Sequence, residues 1–189
     1  MICFCLASGP SMRAEDVEAI RGLGHVIAIN NTVFLAPWAD VLYSCDRAWW
    51  LAYADQIADF KGRRVALAQD GLPDCVEGMP WSYASGLGLD CIHTGNNSGY
   101  QAINLAYLMG AKKIVLLGYD MQHPGKHWHP PHPAPLGNFS RGMPELCIPK
   151  FKALADYLQA QGIEVINATR ETALTCFKRS TLAEALGAL

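Results

Sequence analysis

The sequence predicts an α/β fold: a single three-layer domain around a mainly parallel sheet, formed by all 189 residues. Three observations carry that expectation. Short, continuous apolar runs alternate with stretches whose apolar residues recur at helical spacing. Gly, Ser, Asn or Asp stands just beyond several of the apolar runs, the position at which open α/β sheets bind ligands. The chain is also long enough to bury a full core without covalent staples. Strand and helix in alternation imply right-handed crossovers, and hence helices on both faces of the sheet.

Ile2 to Ala7 is apolar throughout and ends at Gly9-Pro10, the pattern of a strand covered on both faces. Ser11 can cap a helix through about Leu23, with Glu15 and Asp16 in its early turns and Gly22 and Gly24 stopping it. His25 to Ile29 reads as a second strand and Asp40 to Ser44 as a third. Asp46 stands as the N-cap of a helix carrying Trp49, Trp50 and Tyr53. Arg64 to Ala68 is a fourth strand, and the Gly- and Pro-bearing stretch from Asp70 to Gly88 is expected to be mostly loop.

From Ser98 the pattern turns helical, with Ala102, Leu105, Ala106 and Met109 at three-to-four spacing and Gly110 as terminator. Lys113 to Leu117 follows as a strong central strand. Tyr119 to Pro144 shows no period, and a loop of that length in a compact domain is usually a lid or a binding loop. Glu145 to Gln161 reads as a helix, Ile163 to Ile166 as the last strand and Thr181 to Leu186 as a closing helix. No internal repeat, linker or low-complexity tract interrupts this order.

A net charge of −2 argues against a protein that adheres electrostatically to nucleic acid or to an anionic membrane, and points to a small partner. The seven cysteines are odd in number, lack CxxC spacing and lie partly in apolar runs, which fits a reduced cytoplasmic setting. The apolar start has no basic n-region and is too short for a signal or a membrane span. Assembly into a homo-oligomer is compatible with the sequence but not specified by it.

Four segments can carry chemistry. Ser8-Gly9-Pro10-Ser11 precedes a helix, whose positive end and unpaired N–H groups suit an anion such as phosphate; it is neither GxGxxG nor a Walker A loop. Asn30 and Asn31 follow the second strand, where one amide can contact a phosphate or sugar while the other forms a turn. Thr94-Gly95-Asn96-Asn97-Ser98-Gly99 is the richest loop, with two glycines, polar side chains and a helix start together. Gly118-Tyr119-Asp120 ends the strongest strand and offers a carboxylate to a ribose, a base amine or a metal-bound water. Asp40, Asp46 and Asp120 are the candidates for holding Mg²⁺.

Four of the six histidines, His123, His127, His129 and His132, lie within ten residues. Imidazole titrates near neutrality, so these are the candidates for proton transfer or substrate contact. A zinc site is conceivable, although the spacing is neither HExxH nor that of a zinc finger and no cysteine lies close in sequence.

Taken in order, Gly9-Pro10-Ser11, Ala28-Ile29-Asn30-Asn31, Asp40 before Ser44-Cys45-Asp46, Asn97-Ser98-Gly99, Ala111 to Asp120 and Gly162 to Thr169 resemble the MptE-like and motility-accessory-factor superfamily. That superfamily is related to the bacterial lipooligosaccharide sialyltransferases and includes small phage-encoded members. The resemblance covers nearly the whole chain. It implies a Rossmann-like fold with a nucleotide or nucleotide-sugar over Gly9, Asn30, Ser98 and Asp120. It also implies that Asn30 contacts the donor phosphate, that Ser98-Gly99 contacts the nucleotide and that a later histidine acts as base. Met121 and Gln122 stand where the sialyltransferases carry the tyrosines that assist the leaving phosphate, so the chain departs from them there.

The expected function is therefore glycosyl transfer from a nucleotide or nucleotide-sugar donor to a hydroxyl acceptor, with His127, His129 or His132 as base. The alternatives are a pyrophosphokinase of the MptE kind using ATP and Mg²⁺, and a nonenzymatic nucleotide-binding module.

Overall fold

The computed structural model describes residues 1–122, 126–138 and 142–187. In chain order its elements are β1 (Ile2–Leu6), α1 (Ala14–Ala19), β2 (His25–Ile29), a 3-10 helix at Asn30–Phe34, β3 (Val41–Tyr43), α2 (Arg47–Ala52), β4 (Arg63–Leu67), β5 (Glu77–Met79), β6 (Trp81–Ser82) and β7 (Ile92–His93). There follow α3 (Ser98–Leu108), β8 (Lys113–Leu117), α4 (Met143–Ala160), β9 (Glu164–Asn167), β10 (Lys178–Arg179) and α5 (Leu182–Gly187).

The apolar runs are apolar at consecutive positions because both sides of the sheet are covered. Cys3 and Cys5 of β1 face one core, which α3 and α4 close with Ile103, Leu105, Phe151 and Leu154. Phe4 and Leu6, pointing the other way, join Val17 of α1, Trp49 and Trp50 of α2 and Ala185 of α5. The three layers and parallel pairing make a Rossmann-like α/β fold. The main sheet has eight strands in the order β10-β9-β8-β1-β2-β3-β4-β5, and β6 and β7 pair separately.

That order fixes where a ligand can sit. From β1 the chain winds outward through β2, β3 and β4, then returns to place β8 on the other side of β1 and continues to β9. Leu6 pairs in register with both Ala28 of β2 and Leu117 of β8. The loops leaving β1 and β8 therefore diverge to opposite faces and open a crevice at the switch point. Ala7 N–H donates to Leu117 O at 2.9 Å, and Gly9 N–H to Gly118 O at 2.8 Å, so these two loops begin as a zipped pair.

α3 presents buried residues around most of its surface, including Gln101 and Asn104. Both polar side chains are satisfied. Gln101 accepts from Tyr43 Oη at 3.0 Å and donates to Thr94 O at 2.9 Å, while Asn104 holds the backbone of Gly88 and His93. At the start of the helix, Asn97 stands at the N-cap and its side-chain oxygen accepts from Tyr100 N–H at 3.1 Å. Asn97→Ala is expected to cost about 1 kcal/mol, a fall of roughly 2–4 °C in the melting temperature of a chain of this size; an unchanged melting curve would refute the cap.

Several sequence expectations need correction. Ser11 does not cap α1; its N–H is drawn to Asp120 instead, and the helix starts at Ala14 with Arg13 at an N-cap that has no side-chain bond. The helix also ends at Ala19, well short of Leu23. The Asp70–Gly88 stretch is mostly loop, as expected, but holds the short β5 and β6, and β7 and β10 are further strands that the pattern did not announce. Each has two or three residues, too few for any period to show. Among the described residues no helix is long and apolar enough to cross a membrane.

Candidate functional site

A cleft of about 470 Å³ opens beyond the carboxyl ends of β1, β2, β3 and β8. Its floor is Ala7 to Pro10 from the loop after β1 and Gly118 to Gln122 from the loop after β8; its sides are Asn30, Asp46 and the Asn96-to-Gly99 start of α3. His127 and His132 reach it from the His/Pro loop. Residues from distant parts of the chain thus share one crevice: the loops after β1, β2, β3 and β8 leave the same edge of the main parallel sheet, and the start of α3 reaches it from β7 of the separate pair.

Local backbone demands explain the glycines and one asparagine. A Cβ on Gly9 would lie 1.9 Å from Asp120 Oδ1 and 2.5 Å from Gly118 O, so only glycine lets the two loops meet. Asn30 adopts a φ of 50°, a left-handed conformation that Asn tolerates, and still lines the cleft. The turn role and the cleft-lining position thus fall on the same residue.

Not every expected residue faces the crevice. Asn31 is buried with its amide engaged: its nitrogen donates to Tyr53 Oη at 3.1 Å, and its oxygen accepts from Trp49 Nε1 at 2.8 Å. Ser11 contributes its N–H to Asp120 Oδ2 at 2.9 Å rather than its side chain to the cleft. Gly95, at a φ of 50°, packs under the Tyr100 ring and serves the turn. Asp40 lies at the opposite end of the sheet, where it accepts from Val26 N–H at 2.8 Å and faces His25. It cannot converge with Asp46 and Asp120 on one metal ion. His123 lies outside the described residues.

The histidines are held by the sheet edge itself. Trp128 N–H and His127 Nδ1 both reach Ser8 O, at 3.1 and 3.2 Å. Trp128 packs against the α1–α2 core, and its Nε1 donates to Thr32 Oγ1 at 3.4 Å. His132 Nδ1 meets Tyr53 Oη at 2.9 Å. His129 stacks on His127 with ring centroids 4.9 Å apart, and its Nδ1 contacts Pro130 O at 2.6 Å.

No family model matches the chain, and no curated protein or solved structure does either. The chemistry of the cleft is therefore argued from its own atoms.

Burial and mutual repulsion keep the histidines neutral. His127 is pushed down to about 4 by desolvation and by neighbouring His129. His129 is lowered by burial. His132 is lowered by burial and by His129, against the opposing charge of Asp46. Asp120 moves the other way, its carboxyl raised by burial although Ser11 donates to it. Asp120 Oδ1 is buried and has no hydrogen-bond partner among the described residues.

Reasoning from sequence missed further lining residues. Cys45 sits against Ser98, Sγ to Oγ 3.3 Å, and burial pushes its thiol up to about 12, which removes it as a nucleophile. Trp81 and Tyr83 stand edge to face at the mouth, centroids 4.9 Å apart, with Tyr83 80% exposed. Two aromatics spaced i, i+2, in a stretch expected to be mostly loop, are the signal the sequence offers. Lys126 is the one Lys or Arg among the lining residues described.

Proposed function

We propose that the cleft binds a nucleotide or nucleotide-sugar and that the chain transfers the glycosyl group to a hydroxyl acceptor. The observation that carries this reading is the convergence of Gly9, Asn30, Ser98, Asp120 and His132 on one crevice at the switch point of a parallel sheet. The loop order that resembles the MptE-like and motility-accessory-factor superfamily supports the same ligand class, and a cytoplasmic setting accords with it.

The donor phosphate lies at the start of α3, where the first N–H groups of a helix lack intrahelical acceptors and the dipole favours negative charge. Lys126 adds a cation. The exposed faces of Trp81 and Tyr83 offer a stacking surface for the base. A neutral imidazole takes the acceptor's proton as the acceptor oxygen bonds to the sugar carbon; the bond from sugar to phosphate oxygen breaks, and the nucleotide leaves with that electron pair. His132 suits this role better than His127, whose imidazole is pushed down to about 4. The pyrophosphokinase alternative loses one of its three acidic residues, because Asp40 lies at the far edge.

A thermal-shift screen of nucleotides and sugar nucleotides, with and without Mg²⁺, tests the ligand class, since a guest of the folded state at 100 times its Kd adds about 2.7 kcal/mol. Tyr83→Ala is expected to weaken the hit by 1–3 kcal/mol if the base stacks there. Nucleotide release on adding hydroxyl acceptors tests turnover. A shift without release under any acceptor would favour the nonenzymatic module, and no shift with any nucleotide would end the reading.

A further inference from the structure

One ring nitrogen from each of His127, His129 and His132 lies within 4.8 Å of the others, though no sequence motif foretold a metal site there. We propose that these three histidines form a transition-metal site, suited to Zn²⁺, whose open coordination position faces the cleft and takes an oxygen of the bound guest.

The geometry of the second nitrogens supports it. Metal-binding imidazoles almost always donate their remaining N–H to a carbonyl, carboxylate or water, which fixes the ring and the tautomer. His127 Nδ1 reaches Ser8 O at 3.2 Å, and His129 Nδ1 reaches Pro130 O at 2.6 Å. Both contacts are to carbonyls, which only accept, so both rings carry their proton on Nδ1 and keep the lone pair on Nε2. His132 Nδ1 is held in turn by Tyr53 Oη.

The second observation is an orphan. His129 is only 8% exposed, and its Nε2 is buried without a hydrogen-bond partner among the described residues. A buried acceptor in that state is costly and calls for a ligand or ion. Tetrahedral zinc with Zn–N bonds of about 2.0–2.1 Å requires nitrogens about 3.3–3.4 Å apart. The three nitrogens, all within 4.8 Å of one another, reach that spacing as the ion draws the loop's side chains together. Neutral imidazoles are the donor set of Zn²⁺ and its transition-metal neighbours, not of Mg²⁺, which prefers oxygen.

Charge gives the site a purpose. The cleft lining includes Asp46 and Asp120 but only Lys126 as a described cation, a poor field for a phosphate. A divalent ion on the histidines reverses that balance beside the guest and acts on it as a Lewis acid. A lone pair committed to the metal cannot also take a proton, so metal binding and the base role of His132 are alternative states of the same ring. The inference needs the same crevice as the proposed transfer, but not that reaction.

The test uses the full-length protein, stripped with a chelator, in a Cys75→Ser background that removes the exposed thiol. Calorimetric titration with Zn²⁺ is expected to give one saturable site, and Co²⁺ the visible absorption of a low-coordinate nitrogen site. His129→Ala and the more accessible His132→Asn should each weaken binding at least about tenfold, while His25→Ala, at the opposite end of the sheet, should not. If His129→Ala fails to fold, His132→Asn alone decides. Absence of saturable binding, or binding unaffected by His132→Asn, would overturn the site. Nucleotide shifts recorded on the stripped protein are a separate readout, so failure of the metal site leaves the ligand reading to stand or fall by itself.

Discussion

Gly9→Ala is expected to collapse the cleft and destabilise the whole chain. The added methyl would lie 1.9 Å from Asp120 Oδ1, 2.5 Å from Asp120 Cγ and 2.5 Å from Gly118 O. One of the three clashes is with backbone, and that backbone is itself constrained: Gly118 sits at a φ of 73° with Ala7 O close to where its own Cβ would be. A side chain could swing aside, but here the loops after β1 and β8 would have to part, breaking the 2.8 Å bond from Gly9 N–H to Gly118 O. Overpacking of this kind costs about 1–3 kcal/mol and at times more, or roughly 2–4 °C of melting temperature per kcal/mol at this size. The same separation moves Asp120 and the Ser8 carbonyl that holds His127, so nucleotide-dependent thermal shifts should disappear as well. Gly137→Ala, in the His/Pro loop with nothing among the described residues within 4 Å of its Cβ, serves as the control for melting. Equal melting temperatures for the Gly9 and Gly137 variants would contradict the close approach.

This packing constraint shows what the sequence could and could not disclose. The strands β1, β2 and β8 were legible because burial on both faces writes itself as an unbroken apolar run, as in Ile2 to Leu6 and Lys113 to Leu117. The rim was legible for a related reason: a parallel sheet puts its strand-to-helix loops on one edge, so Gly9, Asn30 and Asp120 had to lie near one another once the strand order allowed it, whereas Ser98 reaches the rim through the separate β6–β7 pair, which no pattern announced. Partners were not legible. Asn30 and Asn31 are chemically alike, and only the three-dimensional neighbours Trp49 and Tyr53 engage one and leave the other at the cleft. Asp40 and Asp46 likewise differ by the length of β3, which carries one to each end of the sheet. Nor could spacing reveal that Ser8 O anchors the histidine loop, since 119 positions separate it from His127.

Asp120 should make both folding and ligand binding depend on pH in a direction fixed by its burial. It is 2% exposed, with Oδ2 accepting from Ser11 N–H and Oδ1 unpartnered among the described residues. Desolvation raises its carboxyl above the ordinary 3.8, so the folded chain holds this proton more firmly than the unfolded one. The resulting stabilisation is complete below pH 3.8 and is lost as pH rises through the raised value. Asp120→Asn removes that titration; its melting temperature relative to the parent should therefore be higher at pH 7 than at pH 4. Asp120→Ala differs in kind: it leaves the buried Ser11 N–H without an acceptor, at a cost of about 1–3 kcal/mol. For an anionic guest the sign is the same, because the protonated carboxyl can donate to a phosphate while the carboxylate repels it. Affinity should fall as Asp120 ionises and stay flat across that window in the Asp120→Asn protein. Melting curves and nucleotide titrations at matched ionic strength check both, and parallel pH profiles for parent and variant would show that the buried carboxyl does not govern the cleft.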